Sequence, residues 1–119
     1  SYGGIYTCPD TTRMGVAPIG YADGFMRCLS NRCSFVTEEG PAPQRGRICM
    51  DMCMVDLTGK PKVDVGSELE LFGTRQSLDD LAQLAGTIPY EITCNISKRV
   101  PRVYLEKGKV VGKELLLRM

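Results

Sequence analysis

The chain contains no histidine. That removes the commonest metal ligand and the usual general base. Neither sign of charge is in excess, with 15 lysines and arginines against 14 acidic residues, so there is no electrostatic footprint for nucleic acid. No apolar run approaches the roughly 18–20 residues that a membrane span needs, and no signal-peptide pattern opens the sequence. Internal repeats, linkers and low-complexity tracts are also missing. The 119 residues therefore read as one soluble domain with a real but modest core.

Cysteine is the residue in unusual supply: Cys8, Cys28, Cys33, Cys49, Cys53 and Cys94. An even count is compatible with disulfides, but the apolar content suffices for folding without them. A zinc site from Cys28/Cys33 and Cys49/Cys53 is the sharper alternative. Cysteines four apart on a strand stand roughly 13 Å apart at about 3.3 Å per residue, too far to share one ion. Reduced, buried cysteines in a cytosolic protein are the expectation.

The pattern of turns and periods predicts a mainly β domain, a small barrel with two short helices. Strands are expected at Ser1–Thr7, Arg13–Ile19, with Met14 and Val16 on one face, and Ser34–Thr37. A loop or short helical turn follows Gly20–Gly24, and Glu38–Pro41 is a turn. A short strand at Glu68–Phe72 alternates polar and apolar residues. Ser77 is positioned to cap a helix with Asp79 and Asp80 in its first turn and Gly86 as its stop. Pro89 opens a second helix carrying Ile88, Ile92 and Ile96 at four-residue spacing. Arg99–Arg102 breaks it, a hairpin turns at Lys107-Gly108, and Glu114–Leu117 adds a last strand.

The organising stretch is Gly46–Asp56, GRICMDMCMVD. Read as a central strand from Gly46 to Leu57, it sends Ile48, Met50, Met52 and Met54 to one face and Arg47, Cys49, Asp51, Cys53 and Val55 to the other. Both faces are largely apolar, so cover on both sides is expected. A carboxylate there is costly unless partnered. Asp51 is therefore expected to be a buried structural carboxylate, with Arg47 as one nearby donor.

Gly-Arg-Ile-Cys-Met-Asp also resembles the signature of the C-terminal domain of alanine racemases. Three further stretches agree in order and spacing: Ser1-Tyr2-Gly3, Ile19-Gly20-Tyr21-Ala22-Asp23-Gly24, and Thr87-Ile88-Pro89-Tyr90-Glu91 running on to Arg99-Val100-Pro101-Arg102. Four motifs spread over nearly the whole chain are far more specific than one. Residues 1–119 are accordingly identified as this domain alone, excised from a longer protein that carries a pyridoxal-phosphate barrel upstream.

The resemblance implies a chemistry. The family interconverts L- and D-alanine, and similar enzymes interconvert L- and D-serine, using pyridoxal phosphate as the electron sink. Two bases act on opposite faces of the amino acid: a lysine on the N-terminal barrel and a tyrosine from the C-terminal domain of the opposite subunit in a head-to-tail homodimer. That tyrosine matches Tyr2, whose phenol, ordinarily of pKa about 10, must be tuned by groups in the missing barrel. Met50 matches the position whose backbone N–H contacts the substrate carboxylate. Tyr90 matches a tyrosine that reaches the cofactor phosphate. Tyr21, Arg27, Arg47 and Ile88 match entryway residues. The resemblance places the parent protein in the cytoplasm, or tethers it to a membrane through upstream helices, as in the serine racemases of glycopeptide resistance. The alternative is a β-barrel interaction module that has lost catalysis, which has no need of Tyr2, Met50 and Tyr90 together.

Overall fold

Three short stretches with alternating burial build the centre of the molecule. The computed structural model describes residues 12–114; Tyr2, Cys8, the first expected strand and the residues after Glu114 lie outside that range. Strand β1 is Met14–Ala17, β2 Ser34–Thr37, β3 Gly40–Arg45 and β4 Cys53–Asp56. They form one antiparallel sheet in the order β1-β4-β3-β2. Phe35 and Thr37, Ala42 and Gln44, and Cys53 and Val55 point inward at two-residue spacing, as the strand period requires. Helix α1 is Leu78–Ala85 and helix α2 Pro89–Cys94; β5 (Arg102–Glu106) and β6 (Lys109–Glu114) form a separate hairpin. The described strands thus make two sheets and not one closed barrel. No helix among the described residues is long and apolar enough to cross a membrane.

The helices follow their terminal signals. The Ser77 hydroxyl accepts from the Asp80 N–H, Gly86 ends α1 in the left-handed region, and Pro89 sits in the first turn of α2. Leu81 and Ala82 of α1 and Ile92 of α2 enter the core. There Phe25 and Phe35 meet edge to face with ring centroids 5.7 Å apart. Ile96 falls beyond the end of α2 and Ile88 is its exposed N-cap, so the three isoleucines do not share a helix face.

The long central strand is not formed. Only Cys53–Asp56 pairs, and residues 46–52 run as loop. The reason lies in where the backbone groups go. The Gly46 N–H donates to Asn31 Oδ1, the Ile48 N–H to Ser30 Oγ, and the Cys49 N–H to the Met52 carbonyl. Side chains and a local reversal take the bonds that a neighbouring strand would have offered. Ile48 is still fully buried, but Met50 and Met52 are each 50% exposed. In β1 the inward residue is Ala17, while Val16 faces out. The expected strand at Glu68–Phe72 reduces to one bridge, Val36 to Glu70. Beside it Gln76 Nε2 donates to the carbonyls of Ser34 and Leu71.

Strand β3, with prolines at 41 and 43, was not expected from the sequence. The Gln44 N–H donates to the Cys33 carbonyl on the β2 side. Residues one removed in a strand point the opposite way, so Pro41 and Pro43 turn their nitrogens away from β2. Strand β4 reaches only Gln44 and Arg45, and the missing donors cost no ladder bond. Gln44 itself is buried yet satisfied: Oε1 accepts from the Asn31 N–H at 2.7 Å, and Nε2 donates to the carbonyls of Arg45 and Gly46 at 3.0 Å.

Two glycines let loops touch. A Cβ on Gly20 would lie 2.2 Å from the Cys49 carbonyl oxygen and 2.4 Å from the Met50 carbonyl. Its φ of −149° suits any residue, so this position is glycine for space alone. Gly24 has φ +107° and a Cβ there would meet the Asn95 oxygen at 2.2 Å. Gly20→Ala should therefore cost about 1–3 kcal/mol through overpacking against backbone, read as a lower urea midpoint at unchanged slope. An unchanged midpoint would show that the two loops separate freely.

Candidate functional site

Residues 20–24 form the hub of one end of the molecule. Tyr21–Asp23 is a single 3₁₀ turn. Its leading N–H groups are used across the loop contact: Tyr21 donates to the Cys49 carbonyl and Ala22 to the Met50 carbonyl, both at 2.9 Å. Asp23 Oδ2 accepts from the Gly20 N–H at 2.9 Å, closing the turn on itself. The Asp23 carbonyl accepts from the Ser97 N–H at 2.9 Å. Thus one turn ties together the 49–51 loop and the segment after α2.

Arg99 completes the join. Its Nε donates to Asp23 Oδ1 at 2.7 Å and its Nη2 to Asp51 Oδ1 at 2.5 Å. The arginine fork makes one residue serve two carboxylates. Asp51 is paired as expected of a structural carboxylate, but its partner is Arg99, not Arg47, and its side chain is 63% exposed. The loop conformation of residues 46–52 carries it out of the core. Arg102 performs a related task, its guanidinium donating to the carbonyls of Ile96, Ser97 and Val100.

Asp23 and two cysteines of the core hold displaced proton affinities of opposite kind. Burial pushes the Asp23 carboxyl upward, but the bonds from Arg99 and the Gly20 N–H, with the arginine's charge, outweigh it and hold the group below the usual carboxylate range. Burial pushes the thiols of Cys33 and Cys53 up to about 12. They are protonated near neutrality and poor nucleophiles. Cys28 and Cys94 are exposed and Cys49 is half-buried, so burial holds for only part of the cysteine set; the five described cysteines are free thiols. No cluster of three or more metal-ligating side chains occurs among the described residues.

The hub borders an apolar cavity of about 210 Å³ walled by Ile19, Phe25, Leu71, Phe72, Ile92 and Ile96. It falls below the roughly 300 Å³ at which ligand pockets begin. The exposed features lie elsewhere: Tyr21, Met50, Met52, Ile88 and Tyr90 all leave large apolar area in solvent.

Comparison with known proteins decides the family. A family profile described as alanine racemase, C-terminal domain, matches residues 1–104. The chain belongs to that family. It is 45% identical over 115 residues to alanine racemase 1 of Clostridium acetobutylicum, covering 93% of this chain and 30% of that protein. It is 47% identical over 107 residues to the alanine racemase of Desulfovibrio desulfuricans, covering 89% of this chain and 29% of that one. Among solved structures, an alanine racemase of Clostridium difficile 630 in complex with cycloserine superposes with a TM-score of 0.92 at 38% identity, covering 99% of this chain and 32% of that one. The chain thus spans about 30% of the length of the curated relatives it matches.

Seen as a racemase domain, the chain divides its expected site residues into two groups. Tyr21 stands on the 3₁₀ turn itself and Met50 on the 49–51 loop bonded to it. Ile88 and Tyr90 stand at the start of α2, whose far end meets Gly24 through Asn95. Arg27 is exposed on a second 3₁₀ turn, Arg27–Leu29, and Arg47 is half-buried. Neither makes an ion pair among the described residues. The joining residue that sequence reading missed is Arg99, quoted there within a family motif and as part of a helix break but given no role. A signal existed: Arg99, Asp23 and Asp51 lie in three different family motifs, and Arg99 carries the charge opposite to the other two.

The Asp23 geometry sets an acid limit. A carboxyl held low in the fold adds stability above its unfolded pKa of about 3.9, and that stability is lost as pH falls through the lower folded value. Asp23→Asn should lose about 1.5–3 kcal/mol at neutral pH, as expected for bonds to a charged group. The gap to wild type should narrow below about pH 4. Urea midpoints measured across pH 2–7 check this, and a constant gap would exclude the linkage.

Proposed function

We propose that this domain completes the active site of a pyridoxal-phosphate-dependent racemase acting on alanine or serine, lending its residues to the opposite subunit of a head-to-tail homodimer. The domain's finished form is barrel-like in this reading. Support comes from exposure: the residues at the family's substrate and entryway positions, Tyr21, Met50, Ile88 and Tyr90, are among the large apolar side chains left in solvent. Such a surface calls for a covering partner, here the barrel of the other subunit. The parent enzyme acts in the cytoplasm, or at a membrane to which upstream helices tether it.

The groups available suit a secondary contributor to the cofactor site. Tyr90 is 77% exposed in the first turn of α2, so its hydroxyl is free to reach a phosphate carried by another domain. The carbonyl of Met50 is taken by Ala22, while its N–H donates to none of the described residues. That N–H is the donor we assign to the substrate carboxylate, with the methionine side chain as apolar packing. Tyr21, Arg27, Arg47 and Ile88 shape and charge the entrance, the arginines favouring small anionic substrates. Bound pyridoxal phosphate would supply the ring that spreads the negative charge left when the α-proton departs. Tyr2 acts as the base on the L-face and returns the proton there, and the lysine of the opposite barrel serves the D-face.

Alone, the 119-residue chain should neither hold stoichiometric cofactor nor racemise alanine or serine. Its lysines at 60, 62, 98, 107, 109 and 113 can form only non-specific adducts. Dialysis followed by absorbance of lysine-bound cofactor and a turnover assay checks this. Stoichiometric cofactor with turnover would remove the need for the second domain.

In the full-length enzyme Tyr2→Phe separates the two faces. Loss of a positioned acid–base group costs about 10²–10⁴-fold in rate, so racemisation should fall by that factor in both directions. Exchange of the α-proton of the D-isomer with deuterated solvent should survive better than exchange of the L-isomer, followed by NMR. Equal loss for both isomers, or racemisation near the wild-type rate, would exclude Tyr2 as the L-face base.

A further inference from the structure

We propose that Arg99 is a positioning residue of the racemase site: its guanidinium cancels the charge of Asp51 beside the Met50 N–H, so that this N–H can accept an anionic substrate. The inference rests on the reading above, in which Met50 receives the substrate carboxylate. Asp51 follows Met50 directly, one step of about 3.8 Å along the backbone. Its side chain is 63% exposed and pairs with the Arg99 guanidinium. A substrate carboxylate on the Met50 N–H would bring a second negative charge to the residue next to Asp51, and at physiological salt charges are largely screened only beyond roughly 8 Å. Like charges within that range repel.

Among the described residues Arg99 is the only cation that pairs with Asp51. The way it is held suits this role. Nε is fixed by the more buried Asp23 carboxylate at 2.7 Å; the Asp23 side chain is only 14% exposed. That aims Nη2 outward at Asp51. Exposed ion pairs add little to stability, so the outer bond is poorly explained as a stabilising contact. Placed next to a free backbone donor, it has a clear electrostatic effect. The inner bond sets the position of the cation, and the outer one hides a negative charge from an incoming anion.

The test is a charge-rescue cycle in the full-length holoenzyme. Arg99→Gln keeps a side-chain donor for Asp23 and removes the positive charge. It should raise KM for alanine about tenfold in the wild-type background, with kcat changed less than about threefold. In an Asp51→Asn background, where no charge remains to be hidden, the same substitution should raise KM less than about threefold. Arg99→Lys retains the charge without the fork and should raise KM less than the glutamine substitution does; it carries the test should the glutamine variant fail to accumulate. Hydrogen exchange of peptides covering residues 20–24 and 49–52 reports separately on loosening of the loops. A KM increase of equal size in both backgrounds would overturn the proposal and make Arg99 a mechanical clasp. So would an unchanged KM, or a lysine variant as impaired as glutamine. If Tyr2→Phe leaves racemisation intact, the underlying reading fails and the proposal with it. If Tyr2→Phe behaves as expected while the cycle shows no rescue, only the role of Arg99 falls.

Discussion

The Asp23 carboxylate is the constraint on which this end of the domain depends. One oxygen closes a glycine-flanked 3₁₀ turn by accepting from the Gly20 N–H, and the other receives the Arg99 guanidinium. Neither bond would be available if the turn opened, because the Gly20 amide and the Asp23 side chain would separate. Two backbone bonds then carry the turn's geometry to the 49–51 loop. The precise placing of the Met50 N–H is thus inherited from a carboxylate 27 positions earlier in the chain. Local turn chemistry and long-range contact reinforce each other at this point, as foldable sequences require.

Among the described residues this arrangement joins fold to chemistry through binding groups alone, since Tyr2, the acid–base group we assign, lies outside them. The described residues hold no histidine, and burial raises the proton affinity of the Cys33 and Cys53 thiols. What they offer is a set of donors and apolar surfaces held on loops, with the sheet and two short helices as support. Loops positioned by a rigid scaffold commonly carry function. Here the scaffold contributes by keeping three such segments in fixed contact through the Tyr21, Ala22 and Ser97 N–H groups.

Legibility followed the range of the interactions. The caps of α1, the proline start of α2 and the turn at Lys107-Gly108 depend on neighbours in sequence, and all three were readable there. The Gly46–Leu57 stretch was misread because its period of two is real while its bonding partners are remote. Ser30 and Asn31 take the N–H groups of Ile48 and Gly46, and no propensity records that. Strand β3 escaped notice because two prolines argue against a strand unless the neighbour's reach is known. Arg99 was hidden for the same reason: its two carboxylates are 76 and 48 residues away. The family motifs located the exposed residues Tyr21, Met50 and Tyr90 and included Arg99, yet they did not say that Arg99 links two of the other motifs.

The prolines of β3 have a consequence beyond this fold. Where β4 stops short, the first half of β3 has no strand beside it on that flank among the described residues, and such a border is the kind onto which a strand from another molecule can add. At positions 41 and 43 that flank carries ring carbons in place of amide hydrogens. An intruding chain would find carbonyls but no donors, and could not zip onto it. The residues that obscured the strand in the sequence also guard it against aggregation.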